Sequence, residues 1–161
     1  MGAALSGLSI GVLSYAAHMT LSNALATHQA AGLDQLSDDF FVYFNAFSDA
    51  DRELAARFGV RSTGSDLNQG IYGGFRGIVA HARQPYVLIL ENDIVSLGSA
   101  AEVAQCLSSA LNDMVAHDIK AMSLRSRATP GQGALEVQKK YAGYYGIRDP
   151  IRSDIAPSSP S

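Results

Sequence analysis

Two carboxylates, Glu91 and Asp93, follow directly on the apolar run Tyr86-Val87-Leu88-Ile89-Leu90. Oxygen ligands so spaced at the tip of one strand can turn toward a single hard cation, Mn2+ or Mg2+, and a cation held there would neutralise a pyrophosphate. Asn92 between them offers an amide oxygen or holds the turn. A second pattern is Asn68-Gln69-Gly70-Ile71-Tyr72-Gly73-Gly74-Phe75-Arg76-Gly77, where four glycines recur along a helix-like stretch. Each glycine inside a helix costs about 1 kcal/mol relative to alanine, so their presence asks for a reason. On one face, Gly70, Gly73 or Gly74, and Gly77 would let the backbone approach a strand or a phosphate-bearing ligand, and the helix N-terminus adds free N–H groups. The plainer alternatives are a turn cap for Asp93 and close helix-on-sheet packing for the glycines, which suits Gly77 better than Gly70. Arg76 could reach a phosphate but is expected to be solvated.

Other chemistries find less support. The first apolar run is followed by Ser14-Tyr15-Ala16-Ala17-His18 and not by a G-x-G-x-x-G turn, which argues against a nicotinamide cofactor. His18, His28, His81 and His117 form no pair at metal-ligand spacing, and no serine sits in a G-x-S-x-G elbow. Cys106 is the only cysteine, so it can close no intrachain disulfide and is expected to be a small buried hydrophobe. A net charge of −3 with dispersed lysines and arginines argues against a nucleic-acid partner. No apolar run is long enough for a membrane helix and the start lacks a basic leader, so a cytoplasmic location is expected.

The elements that would position these residues alternate in type. Leu8–Tyr15 suits a strand buried on both faces, and Thr20 to about Ala31 suits a helix with Leu21, Ala24 and Leu25 inward and Gly32 as its C-terminal cap. Phe40–Phe44 makes a second strand ending at Asn45. Ser48 then caps a short helix with Asp49 and Asp51 in its first turn, closed by Gly59. Val60–Thr63 is a weak third strand. Asn68–Ala82 is a helix whose expected apolar stripe is Ile71, Phe75, Ile78 and Val79. Tyr86–Leu90 is the clearest strand, Ser99–His117 a further helix, and Ala121–Leu124 a candidate last strand. This alternation predicts an α/β fold, a three-layer sandwich with a mostly parallel central sheet. At 161 residues and 47% apolar, one domain over 1–155 is expected, followed by a polar, proline-rich disordered tail over 156–161. In such a sheet ligands bind outside the carboxyl ends of the strands, which selects Ser14, Tyr15, Asn45 and Glu91 to Asp93.

Taken in order, the first strand ending Val12-Leu13-Ser14-Tyr15, the second ending near Asn45, the Asn68-x-Gly70 helix start and Leu88-Ile89-Leu90-Glu91-Asn92-Asp93 resemble glycosyltransferases of the GT-A fold, family 2-like members in particular. The resemblance covers about residues 8 to 127. It implies transfer of a sugar from a UDP- or GDP-sugar donor, assisted by a divalent metal, to an acceptor that the residues do not identify. By matching positions, Ser14, Tyr15 and Asn45 would lie against the nucleoside, Asn68, Gly70 and Asn92 near the donor, and Glu91 and Asp93 in place of the family's D-x-D metal motif. Glu91 departs from the usual first aspartate. Family members also continue further, with an acceptor site and a catalytic base that this chain is expected to lack; Glu136, Asp149 and Asp154 are the remaining acidic candidates. The alternative function is a truncated, non-catalytic nucleotide-binding or interaction module. A sheet edge left open by a missing half would favour a homodimer or a partner chain.

Overall fold

The computed structural model describes residues 5–122 and Leu124. Its elements belong to a compact unit that ends at Met122. In chain order they are β1 (Leu8–Ser14), α1 (His18–Ala30), a 3-10 turn (Leu33–Gln35), β2 (Asp39–Asn45), α2 (Asp49–Arg57), β3 (Arg61–Ser65), α3 (Gly70–His81), β4 (Tyr86–Glu91) and α4 (Ala100–Ala116). The four strands form one all-parallel sheet in the order β3-β2-β1-β4. The expected α/β class with a parallel sheet flanked by helices is therefore what the chain adopts.

Parallel pairing requires crossovers, and the crossovers cover both faces of the sheet. Ile10, Val12, Val42 and Phe44 pack with Leu21 and Leu25 of α1, Leu54 of α2 and Leu107 of α4. On the opposite face Leu13, Phe41 and Tyr43 pack with Ile78 of α3. Every residue of β1 and β2 is buried, as continuous apolar runs in a doubly covered sheet must be. Full burial of a side chain the size of Ile10 or Phe41 is worth about 1.5–3 kcal/mol, so these two strands anchor the unit.

The glycines of α3 set how close that helix comes. A Cβ on Gly74 would lie 2.5 Å from Leu13 Cδ1, and one on Gly77 would collide with the ring of Tyr43. These two positions are packing glycines. The expected stripe needs correction accordingly: Ile71 and Val79 are exposed, while Gly74 and Ile78 are the buried residues of the helix. Close approach at Gly74 and Gly77 turns α3 so that these glycines, with Ile78 and Phe75, face the sheet, and Ile71 and Val79 are left outside. Cys106 is also corrected from buried to exposed. The inner face of α4 runs through Val103, Ala104, Leu107 and Leu111, which leaves residue 106 outside it.

At the amino edge of the sheet, Asp39 is buried and fully engaged. Ser9 Oγ donates to it at 2.5 Å, Arg61 Nη2 at 2.6 Å and the Arg83 backbone N–H at 2.8 Å. Burial alone would push its carboxyl up, but these donors and the guanidinium charge outweigh burial and hold it below the ordinary carboxylate range. Asp39 thereby ties three strands' ends together at the side away from the candidate site.

Ser48 caps α2, as the sequence leads one to expect, and Asp51 in addition completes a capping box with it. Gly32 takes the left-handed conformation after α1, at φ 66°. Ala121, Met122 and Leu124 lie in no regular element. Arg125, Arg127, Glu136, Asp149, Asp154 and the segment 156–161 lie outside the described residues.

Candidate functional site

Because all four strands run the same way, their carboxyl ends share one edge. Along it stand Ser65 of β3, Asn45 of β2, Ser14 of β1 and Glu91 of β4. Chain order reverses beside β1: β2 and β3 are laid down on one side, and β4 returns to the other. That reversal is the topological switch point, where open parallel sheets leave a crevice for a ligand. The structure puts Ser14 and Tyr15 on one side of it and Glu91, Asn92 and Asp93 on the other. Leu13 pairs in register with Glu91, so the next positions, Ser14 and Asn92, are neighbours across strands spaced about 4.8 Å apart.

Alternation assigns the side chains to faces. Glu91 continues the row Val87 and Ile89, on the face that α3 covers, whereas Ser14 continues the row Ile10 and Val12 on the face of α1. Glu91 and Asp93 are both exposed, and the Ile94 N–H closes a turn on the Glu91 carbonyl at 3.1 Å. Ser14 is buried, and its Oγ has no hydrogen-bond partner among the described residues. A buried hydroxyl without a partner at a strand tip marks a place where water or a ligand completes the structure. Tyr15, next along, is half exposed.

Asn45 does something the sequence did not disclose. Its Nδ2 donates to the Gly70 carbonyl at 2.9 Å, while its Oδ1 accepts from the Gln69 N–H at 2.8 Å and from Ser65 Oγ at 3.3 Å. Both amide atoms are thus committed to fixing the start of α3. Asn68 assists, its Oδ1 accepting from the Gly70 N–H at 2.9 Å. Gly70 itself has φ 69° and open space where a Cβ would be. Unlike Gly74 and Gly77, it is required by backbone conformation and not by a neighbour.

Two alanines also take positive φ on this edge, Ala16 at 46° and Ala46 at 72°. An L-residue with a Cβ is strained there by about 1–2 kcal/mol, and such strain gathers at functional edges. His18 Nε2 and Asp51 Oδ1 lie 2.6 Å apart, joining the first turn of α1 to the first turn of α2. The pair is separated by 33 residues, so only the adjacency of β1 and β2 in the sheet brings it together. Phe47 stacks on Phe44 with ring centroids 5.3 Å apart, and Arg52 sits 4.8 Å above Phe47, which stiffens the loop after β2. Arg76, as expected, is exposed.

Glu91 and Asp93 are hard oxygen donors suited to Mn2+ or Mg2+. No group of three or more His, Cys, Asp and Glu able to hold a metal lies among the described residues. No helix among the described residues is long and apolar enough to cross a membrane. Compared with known protein families and with curated proteins, the chain matches none.

Proposed function

We propose that this chain is the donor-binding part of a GT-A-like glycosyltransferase, taking a UDP- or GDP-sugar with Mn2+ or Mg2+. What carries the proposal is the position of Glu91 and Asp93: they close β4 beside the end of β1, at the point where strand order reverses. In this arrangement Ser14 and Tyr15 would take the nucleoside, and the start of α3, set by Asn45, Asn68 and Gly70, would approach the donor. The two carboxylates would hold the ion through which the diphosphate binds. When bound, the ion supplies Lewis-acid stabilisation of negative charge on the leaving diphosphate.

The test is a thermal-shift panel of UDP-, GDP- and CMP-sugars with and without Mn2+, since a ligand that binds only the folded state raises apparent stability. With only two protein carboxylates, Mn2+ alone should shift the melting temperature little, and nucleotide with Mn2+ should shift it clearly. At a ligand concentration a hundredfold above Kd, the stabilisation is about 2.7 kcal/mol. Glu91→Ala with Asp93→Ala should abolish the metal-dependent part. An unchanged shift in that double variant would sink the proposal. Binding with turnover of the donor identifies an enzyme; binding without it identifies the non-catalytic module.

A further inference from the structure

His28 is a histidine on the inner face of α1 that takes no part in the site described above. It is fully buried, its Nδ1 lies 2.8 Å from Ser96 Oγ, and its Nε2 has no hydrogen-bond partner among the described residues. One residue earlier, Thr27 Oγ1 accepts the Ser96 backbone N–H at 3.1 Å while donating to the Ala24 carbonyl at 2.8 Å. Ser96 belongs to the segment that joins β4 to α4 and that begins with Asn92 and Asp93. The apolar side chains of this segment, Ile94, Val95 and Leu97, are all exposed. Hydrophobic burial therefore contributes little to holding it, and the two side-chain bonds at Ser96 are what fasten it to α1.

We propose that Thr27 and His28 form a clasp on the segment after β4, and that protonation of His28 opens it. The physical reason is the environment of the ring. A neutral imidazole satisfies Ser96 with one nitrogen and tolerates an idle second nitrogen. The cation places a full charge in a dry site, with a second N–H that finds no acceptor. Burial accordingly pushes the His28 imidazole below its ordinary value, and the Asp34 carboxylate in the 3-10 turn opposes this only in part. Phe40 of β2 presents a ring edge-on at 6.4 Å and offers no charge. Residues 94–98 carry no charged side chain, and Glu102 in the first turn of α4 is committed to the Ser99 cap. Releasing Ser96 admits water to the ring, so acid favours the open segment.

The sign follows from linkage. The closed form binds fewer protons than the open one, so closure is complete above about pH 6.5 and weakens as pH falls below that value. The clasp stands whether or not a nucleotide binds; its bearing on the placement of Asp93 rests on the function proposed above. The test needs no ligand: amide protection factors across the whole chain, measured from about pH 8 to about pH 5. Protection of the Ser96 amide, which Thr27 Oγ1 accepts, should fall by up to about tenfold per pH unit below about pH 6.5, while the amides of β1 and β2 keep theirs. His28→Gln, which retains a hydrogen-bonding side chain but cannot titrate, should flatten the profile. Ser96→Ala should lower protection of the same amide already at about pH 8. A flat profile in the unaltered chain, a slope surviving in His28→Gln, or loss of protection spread evenly over the sheet would each overturn the clasp.

Discussion

Replacing Asn45 by alanine asks whether that side chain belongs to a ligand or to the frame. It is buried, and it holds the Gln69 N–H at 2.8 Å and the Gly70 carbonyl at 2.9 Å. A neutral hydrogen bond contributes about 0.5–1.5 kcal/mol net, and a buried group left without a partner costs about 1–3 kcal/mol. Gln69 and Gly70 are exposed residues, so water can reach part of what the amide leaves behind. The lower half of the combined range applies, about 1–2 kcal/mol for Asn45→Ala. For a unit of this size that is a fall in melting temperature of about 4–8 °C. Urea unfolding should show a lower midpoint with an unchanged slope, and amide exchange should rise at residues 69–73 before it rises elsewhere. Asn45→Asp is the sharper variant. It keeps an acceptor for Gln69 but turns a carboxylate oxygen toward the Gly70 carbonyl, and it should cost at least as much as alanine. A midpoint within error of the parent for both variants would refute the assignment of Asn45 to the frame.

Gly77→Ala should destabilise by about 1–3 kcal/mol through collision with Tyr43, less about 1 kcal/mol of helix propensity, read as a lowered urea midpoint. Gly70→Ala meets no neighbour but must keep φ 69°, so it should cost about 1–2 kcal/mol and leave the Tyr43 environment untouched in NMR spectra. Asp39→Asn should lose stability at neutral pH. Because the folded carboxyl is held below its unfolded value, this contribution is complete above about pH 4 and vanishes as pH falls through the folded value, so parent and variant urea midpoints should converge in acid.

Much of the frame could be read from residue order. The largely apolar runs read at 8–15 and 40–44 have no solvent side and so announce a doubly covered parallel sheet. Ser48 with Asp49 and Asp51 announces a capped helix, because those side chains satisfy donors that only a helix leaves free. The face of α3 differs from the apolar pattern because hydropathy favours Ile71 and Val79, whereas distance of approach favours glycine; a pattern of apolar residues does not record which backbone comes nearest. Cys106 misled for a similar reason, since a one-sided helix leaves apolar positions outside its narrow buried strip. His18 with Asp51 and His28 with Ser96 were illegible, being 33 and 68 residues apart and carrying no local signal. Ser14, Tyr15 and Glu91 to Asp93 were legible as strand-end residues. Their adjacency along one edge of the sheet depended on strand order, which alternation of elements does not specify.

That strand order also governs how the chain must be assembled during synthesis. β1 is made before β2, β3 and β4, yet it becomes a central strand, and its partner on one side, β4, begins only at Tyr86. While the ribosome is still making the intervening residues, β1, β2 and β3 can pair, leaving the flank of β1 with Ile10 and Val12 unpaired. An apolar flank with free backbone groups invites pairing with other nascent chains. The bond from the Arg83 N–H to Asp39 and the arrival of β4 beside β1 close that flank together, so variants that weaken β4 should lose yield to aggregation before the finished fold loses much equilibrium stability.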